Sequence, residues 1–295
     1  MIRIAAAAVA FALSVQASLA EDWQPLLDPD AAVEMIESED PIILDIRSPG
    51  AYAQGHVEGA INVPYAAWRG PESSPGALIN DQKLSLILSE AGIEPDVPVL
   101  VTYQGKGTLD FGSAARVYWT LKSAGVSQIA ILSGGLQAWT SAGFTLDREE
   151  GSNFPSDLVF EFDPALQTGR KALAQILSGT TPATLLDARP VGFFNGKKRH
   201  KAAASAGTFD GAVNLVHNTW FDGARMNVTS DQVLAALAAK GVDSTKPIVS
   251  FCNTGHWAAT NWFVLSEIAG IKGVTLYPES WVGWTRAKGQ VASRK

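Results

Sequence analysis

Cysteine is almost absent from this 295-residue sequence, and basic residues are fewer than acidic ones. The only cysteine, Cys252, cannot form an internal disulfide, so we expect a fold stabilised by packing and a free thiol. The net charge of −6 argues against nucleic acid as the main partner. The four histidines and Cys252 show no metal-ligand spacing, so the sequence predicts neither a metal site nor a cofactor.

Long apolar runs are confined to the first twenty residues, MIRIAAAAVAFALSVQASLA. This segment has one basic residue, Arg3, followed by an apolar stretch and by the small residues Ser18 and Ala20. The pattern predicts a signal peptide over 1–20 that is cleaved after Ala20, with a retained membrane anchor as the alternative. We therefore expect a periplasmic or secreted protein that has no membrane association after cleavage.

Beyond residue 20, the chain repeats one pattern twice. The sequence LDIRS (44–48) recurs as LDARP (186–190), 142 residues further on. The apolar run PVLVTY (98–103) recurs as PIVSFC (247–252), which places Tyr103 opposite Cys252. Such self-similarity predicts two domains with the same fold.

Short β-branched runs alternate with helical stretches in both halves. Runs such as IILDI and PIVSF are largely apolar, which is typical of parallel strands buried on both faces. The alternation predicts two α/β domains, each with a parallel sheet that helices cover on both faces. We place the amino-terminal domain at 21–146, a charged and turn-rich linker at 147–157 and the carboxyl-terminal domain at 158–295.

Cys252 stands at the carboxyl end of the strand-like run PIVSF, six residues before Ala258, where a helix is expected to begin. Ligands of parallel sheets bind at the carboxyl ends of the strands. A short turn eased by Gly255 would present backbone N–H groups to an anion, and such a cradle stabilises a thiolate. The sequence favours a reactive nucleophile, with a small buried core residue as the alternative.

These motifs, in the same order twice, resemble the tandem-domain rhodanese sulfurtransferases over almost the whole chain beyond residue 20. The resemblance rests on LDIRS and LDARP, GHVEGAINVP (55–64) and GTFDGAVNLV (207–216), the loop CNTGHWA (252–258) and ESWVGW (279–284). It implies an active carboxyl-terminal domain and a silent amino-terminal domain with Tyr103 in the cysteine position. It also implies sulfane-sulfur transfer from thiosulfate or a similar small anionic donor, through a Cys252 persulfide, to an external thiol, cyanide or protein acceptor.

The resemblance also predicts a substrate-binding set around the catalytic Cys252. Arg189 matches an arginine that the family uses near the donor anion, with a structural ion pair to Asp187 as the alternative. The closing ESWVGW segment matches a Gly-Ser-Trp segment at the rim of the family's active site. The predicted substrate-binding residues are Arg189, Asn253, Thr254, Gly255, His256, Trp257, Ala258, Ser280 and Trp281.

A ten-residue insertion, found only in the carboxyl-terminal half, carries four basic residues within 197–201. This basic run is either a solvated loop or a rim that steers small anions toward the site.

Two departures from the family bear on the donor. Asn253 and Thr254 stand where basic residues are usual, and Glu279 adds a carboxylate that would oppose a dianion.

Two other functions compete with sulfur transfer. A cysteine phosphatase or arsenate reductase needs a Cys-x5-Arg loop, but Ala258 occupies the arginine position, so we discount it strongly. A persulfide carrier that turns over thiosulfate poorly stays open, because Asn253 and Thr254 leave the loop without its usual basic residues.

Overall fold

The computed structural model describes residues 23–287, so the predicted signal peptide at 1–20 lies outside the described residues. The amino-terminal half forms a five-stranded parallel sheet in the order β1-β5-β4-β2-β3. Its elements are β1 (Leu26–Leu27), α1 (Pro29–Glu39), β2 (Ile42–Asp45), α2 (Pro49–Tyr52), β3 (Ile61–Asn62), α3 (Asp81–Glu90), β4 (Val99–Thr102), α4 (Thr108–Ser123), β5 (Ile129–Leu132) and α5 (Gly135–Ser141).

The carboxyl-terminal half repeats this plan with a four-stranded parallel sheet in the order β11-β10-β6-β7 and a small antiparallel pair, β8 and β9. Its elements are α6 (Arg170–Leu177), β6 (Thr184–Asp187), α7 (Val191–Phe194), β7 (Val213–Asn214), β8 (Phe221–Asp222), β9 (Arg225–Met226), α8 (Ser230–Ala239), β10 (Ile248–Phe251), α9 (Trp257–Phe263), β11 (Val274–Leu276) and α10 (Ser280–Arg286). An irregular segment from 148 to 163 connects the halves.

Burial of the central strands explains the fold. In β2, β4 and β10, all four residues are buried, because hydrophobic clusters cover each sheet on both faces. Ile42 and Leu44 of β2 belong to one cluster, whereas Ile43 belongs to the cluster on the opposite face. The predicted class, two α/β domains with parallel sheets covered by helices, is confirmed.

The halves pack against each other through the helices that follow β4 and β10. The Tyr118 ring of α4 meets the Phe263 ring of α9 edge-on, with 5.0 Å between the ring centroids. Tyr118 and Lys122 both bind the Glu267 carboxylate, at 2.8 and 2.6 Å. Since each helix follows a strand-to-helix loop, this packing brings the Cys252 loop against the amino-terminal half. Of the described helices, none is long and apolar enough to span a membrane.

Candidate active site

The Cys252 loop, residues 252–256, joins the carboxyl end of β10 to the amino end of α9. Cys252 is 1% exposed at the start of this loop. Gly255 has a φ of 72°, and a Cβ there would overlap the Pro278 carbonyl and the Arg116 guanidinium. Only glycine fits this tight turn, and the sequence analysis predicted a short turn at Gly255.

Ser280 organises the loop from beneath. Its hydroxyl oxygen accepts the N–H groups of Cys252 and Gly255, at 3.0 and 3.1 Å, and its proton is donated to the Tyr277 carbonyl at 2.8 Å. Ser280 has a φ of 50°, which is the left-handed region that few side-chain-bearing residues adopt. The hydroxyl thus positions the loop, and a contact of Ser280 with the donor stays a prediction.

The loop leaves many hydrogen-bond donors without acceptors. Within residues 23–287, nothing accepts the N–H groups of Asn253, Thr254, His256, Trp257 or Ala258. The buried side-chain atoms Asn253 Nδ2 and Trp257 Nε1 also lack partners there. Donors collected at the start of a helix, next to a cysteine, form a site suited to an anion.

Arg189 is 1% exposed and is held by the end of its own strand. Its Nη2 lies 2.6 Å from Asp187 Oδ2 and donates to the Gly207 carbonyl at 2.8 Å. Its Nη1 lies 3.5 Å from Asn253 Oδ1, the weakest of these contacts. The structural ion pair that the sequence left as the alternative is therefore present, and contact with a donor, for which Nη1 is the least engaged group, stays a prediction.

Arg47 repeats this arrangement in the amino-terminal half, which contains no cysteine. Its Nη2 lies 2.6 Å from Asp45 Oδ2 and 2.7 Å from the Gly55 carbonyl. Because the half without a cysteine keeps the same ion pair, the pair belongs to the shared fold.

His256 points across the domain interface. Its Nε2 lies 2.6 Å from the Leu109 carbonyl and therefore carries the proton, which leaves Nδ1 to accept the Tyr65 hydroxyl at 2.9 Å. Burial, followed by Arg69, lowers the pKa of His256 to about 3. The ring is thus neutral at physiological pH, with both nitrogens engaged, and its contact with substrate stays a prediction.

Trp257 directly follows the loop, and Trp281 binds it through its backbone N–H, which donates to the Cys252 carbonyl at 3.0 Å. The Trp257 ring stacks on His217 at 5.0 Å and meets Phe193 at 5.9 Å. Burial lowers the pKa of His217 to about 4, so this ring is also neutral. Trp281 is buried, donates to the Ser205 carbonyl at 2.9 Å and lies beneath the Arg189 guanidinium, 5.1 Å from its carbon. Both tryptophans have evident packing roles, and their contact with substrate stays a prediction.

Two arginines of the amino-terminal half reach the loop, and the sequence analysis missed both. Arg69 Nη2 donates to the Thr254 carbonyl at 2.6 Å, and Arg116 Nη1 donates to the Gly255 carbonyl at 3.3 Å. Arg116 is completely buried. Its position inside the otherwise apolar run SAARVYWTL was the one local signal of an unusual role.

Tyr65 and His217 were also missed as neighbours of the loop. They are 152 residues apart, the same spacing that separates Asn62 from Asn214 in the repeat. Each begins a short 3-10 turn; Tyr65 contacts the Cys252 loop at His256, and His217 contacts Trp257, the first residue of α9. Alignment of the repeats would have identified the pair.

The basic run at 197–201 lies on the surface, with Lys197, Lys198 and Lys201 exposed. The chain that follows it packs on α10, where Ala204 N donates to Thr285 Oγ1 at 3.1 Å. Glu279 forms an ion pair with Arg170, so its carboxylate does not lie next to the loop as an uncompensated charge. Among the described residues, no three His, Cys, Asp or Glu side chains form a group that could hold a metal ion.

The silent loop, residues 103–107, joins β4 to α4 at the matching point of the amino-terminal half. Tyr103 is 1% exposed in the cysteine position. Asp110 Oδ2 accepts the N–H groups of Gly105 and Lys106, at 2.7 and 3.1 Å. In the silent loop, a carboxylate of the protein itself therefore accepts the hydrogen bonds of the loop N–H groups.

Comparison with known proteins identifies the family of this chain. The model of the rhodanese-like domain matches residues 28–142 and 170–287. A putative thiosulfate sulfurtransferase of Synechococcus elongatus is 29% identical over 87% of this chain and 81% of its own length, and the thiosulfate sulfurtransferase of Pseudomonas aeruginosa is 28% identical over 90% and 96%. The 3-mercaptopyruvate sulfotransferase SseA of Escherichia coli superposes with a TM-score of 0.74 at 25% identity, over 88% of this chain and 99% of its own. The chain therefore belongs to the rhodanese family and is a sulfurtransferase with two rhodanese-like domains.

Proposed function

We propose that Cys252 takes a sulfane sulfur from thiosulfate or a similar small anionic donor and passes it to an external acceptor. The observation that carries this proposal is the set of loop donors without acceptors around the only cysteine of the chain. A relative named thiosulfate sulfurtransferase, one named putative thiosulfate sulfurtransferase and one named 3-mercaptopyruvate sulfotransferase support this class of donor.

In the first step, the Cys252 thiolate attacks the outer sulfur of thiosulfate. A bond forms between Cys252 Sγ and the outer sulfur, while the sulfur–sulfur bond of thiosulfate breaks and its electron pair leaves with sulfite. The product is a Cys252 persulfide, whose negative charge the loop N–H groups stabilise. The neutral His256 and His217 rings leave the donor charge to these amides and to arginine.

In the second step, an external thiophilic nucleophile such as a thiolate or cyanide attacks the outer sulfur of the persulfide. The bond to Cys252 Sγ breaks, its electron pair returns to Cys252 and the thiolate is restored. The chain contains no second cysteine to resolve the persulfide, so the acceptor comes from outside.

Intact mass spectrometry tests the first step. Thiosulfate is expected to add the mass of one sulfur atom to the wild-type protein and none to Cys252→Ala. The absence of an adduct with thiosulfate, 3-mercaptopyruvate and polysulfide would contradict the proposal. Release of thiocyanate from cyanide then distinguishes an enzyme with turnover from a persulfide carrier, which would load sulfur but release little thiocyanate.

We also propose that the protein is exported and acts in the periplasm or outside the cell. This rests on the basic, apolar and small-residue pattern of residues 1–20. Amino-terminal sequencing of the protein from its native host tests it. A chain that begins at Glu21 would support cleavage, and a retained Met1 would contradict it.

A further inference from the structure

Arg116 lies in the domain interface as a buried cation. The side chain is 0% exposed on α4, and its Nη1 donates to the Gly255 carbonyl at 3.3 Å. Its carbon lies 5.2 Å from the centre of the Trp119 ring. Its Nε has no hydrogen-bond partner within the described residues, and none of their carboxylates forms an ion pair with it.

A cation in such a place requires a counter-ion, because an unpaired buried charge is strongly unfavourable. Burial lowers the pKa of Arg116 to about 9, with Arg69 acting in the same direction, whereas Tyr65 and Cys252 stabilise the charged form. Burial raises the pKa of Tyr65, so the tyrosine stays neutral at physiological pH. The buried thiol of Cys252 stands at the start of the same loop whose Gly255 carbonyl Arg116 contacts, and as a thiolate it is the group there that supplies a negative charge.

The repeat shows that the fold itself does not need this arginine. Ala114 of α4 matches Ala258 of α9, so Arg116 matches Thr260. Arg116 lies in the amino-terminal half, which lacks the cysteine. Its helix, α4, packs against the half that contains Cys252. Arg69 adds a second cation at the loop, with Nη2 on the Thr254 carbonyl and Nη1 without a partner within residues 23–287.

We propose that Arg116 is the counter-ion of the Cys252 thiolate and that the silent domain thereby completes the active site. The loop itself contributes Asn253, Thr254 and a neutral His256, so the fixed positive charge comes from behind it, through the Gly255 carbonyl contact. The inference rests on the proposed function insofar as Cys252 acts as a thiolate. Arg116 is a positioning residue, because its contact is with the loop and it touches no donor.

Ultraviolet titration of the full-length protein measures the thiolate directly, because the chain contains one cysteine and Cys252→Ser supplies the blank. Arg116→Gln, which keeps a hydrogen-bond donor for Gly255 but removes the charge, is expected to move the midpoint of thiolate formation up by about one pH unit or more. Arg116→Lys is expected to stay closer to the wild type. Lys122→Met is the matched control, since it removes an interface cation from the same helix whose partner is Glu267.

An unchanged midpoint in Arg116→Gln would overturn the inference, and so would an equal shift in Lys122→Met. Arg116→Met serves as a second variant if the glutamine variant does not fold. Its apolar side chain carries no charge, so a neutral Cys252 thiol beside it leaves no unpaired charge in the interface. The titration needs no sulfur donor. A wild-type protein that forms a thiolate but loads no sulfur would therefore contradict the proposed function while leaving the role of Arg116 intact.

Discussion

The silent loop and the Cys252 loop share one backbone frame but differ in what fills it. In the silent loop, Leu136 N donates to the Tyr103 carbonyl at 2.8 Å, and in the other, Trp281 N donates to the Cys252 carbonyl at 3.0 Å. Gly135 and Ser280 occupy the same position of the repeat with φ values of 59° and 50°. Both halves therefore share this backbone frame, which forms with or without a cysteine in the loop.

The difference lies in the partner of the loop amides. In the silent loop, Asp110 binds two of them with its own carboxylate. In the Cys252 loop, the Ser280 hydroxyl accepts two N–H groups, and five others, in the loop and in the first two residues of α9, have no acceptor within residues 23–287. The amino-terminal loop therefore differs from the Cys252 loop in more than the absence of a cysteine, because the Asp110 carboxylate already accepts two of its N–H groups.

Loss of the Ser280 hydroxyl is expected to have the largest effect on activity among the changes that distinguish the two loops. Ser280→Ala leaves the buried N–H groups of Cys252 and Gly255 without an acceptor, at a cost of about 1–3 kcal/mol each. We expect kcat/KM for thiosulfate to fall roughly tenfold to hundredfold, with faster hydrogen exchange of the two amides. Ser178→Ala, on an exposed serine of the same half, is the control. Kinetics equal to the wild type would show that the hydroxyl does not position the loop.

The second test removes the Asp110 carboxylate from the N–H groups of the silent loop. In a Cys252→Ala background, Tyr103→Cys alone is expected to load little sulfur, because the Asp110 carboxylate occupies the amides and repels an anion. Adding Asp110→Ala is expected to increase the loaded fraction several-fold, as read by intact mass. Equal loading of the single and double variants would mean that Asp110 does not silence the loop.

The position of the loop could be predicted from sequence because its signals are local. An apolar strand, a cysteine, a glycine and a helical run follow one another within about twenty residues, and the repeat supplies a second copy for comparison. The structure places Gly255 in the tight turn and begins α9 at Trp257, one residue before the expected start.

The surroundings of the loop were harder to predict, because they come from the other half. Arg116 and Arg69 lie 139 and 185 residues from their partners Gly255 and Thr254. No local pattern shows which helix faces which loop across an interface. For Arg189, the sequence offered donor binding and an ion pair with Asp187 as alternatives, and only the side-chain geometry shows that the ion pair is formed.

The stability contribution of His256 is a smaller effect and depends on pH. Its pKa is about 3 in the folded protein, below the ordinary value of 6.5, so between these values only the unfolded chain binds the proton. Stability is thus expected to fall as the pH is lowered from 7 to 5. Urea unfolding should show that the free energy of unfolding decreases less between pH 7 and pH 5 in His256→Gln than in the wild type, by on the order of 1 kcal/mol. Equal decreases in both proteins would contradict a neutral His256.

The basic run at 197–201 is expected to have the smallest effect, since it has no counterpart in the silent half and its lysines are exposed and screened by salt. Lys197→Gln with Lys198→Gln is expected to lower kcat/KM for an anionic donor about twofold to threefold at low ionic strength. The difference should disappear at high salt, because steering acts over a Debye length. Lys240→Gln with Lys272→Gln removes the same charge from exposed positions elsewhere in this half. If both pairs lower kcat/KM equally, net charge explains the effect, and the insertion in the half that contains Cys252 does not steer the donor.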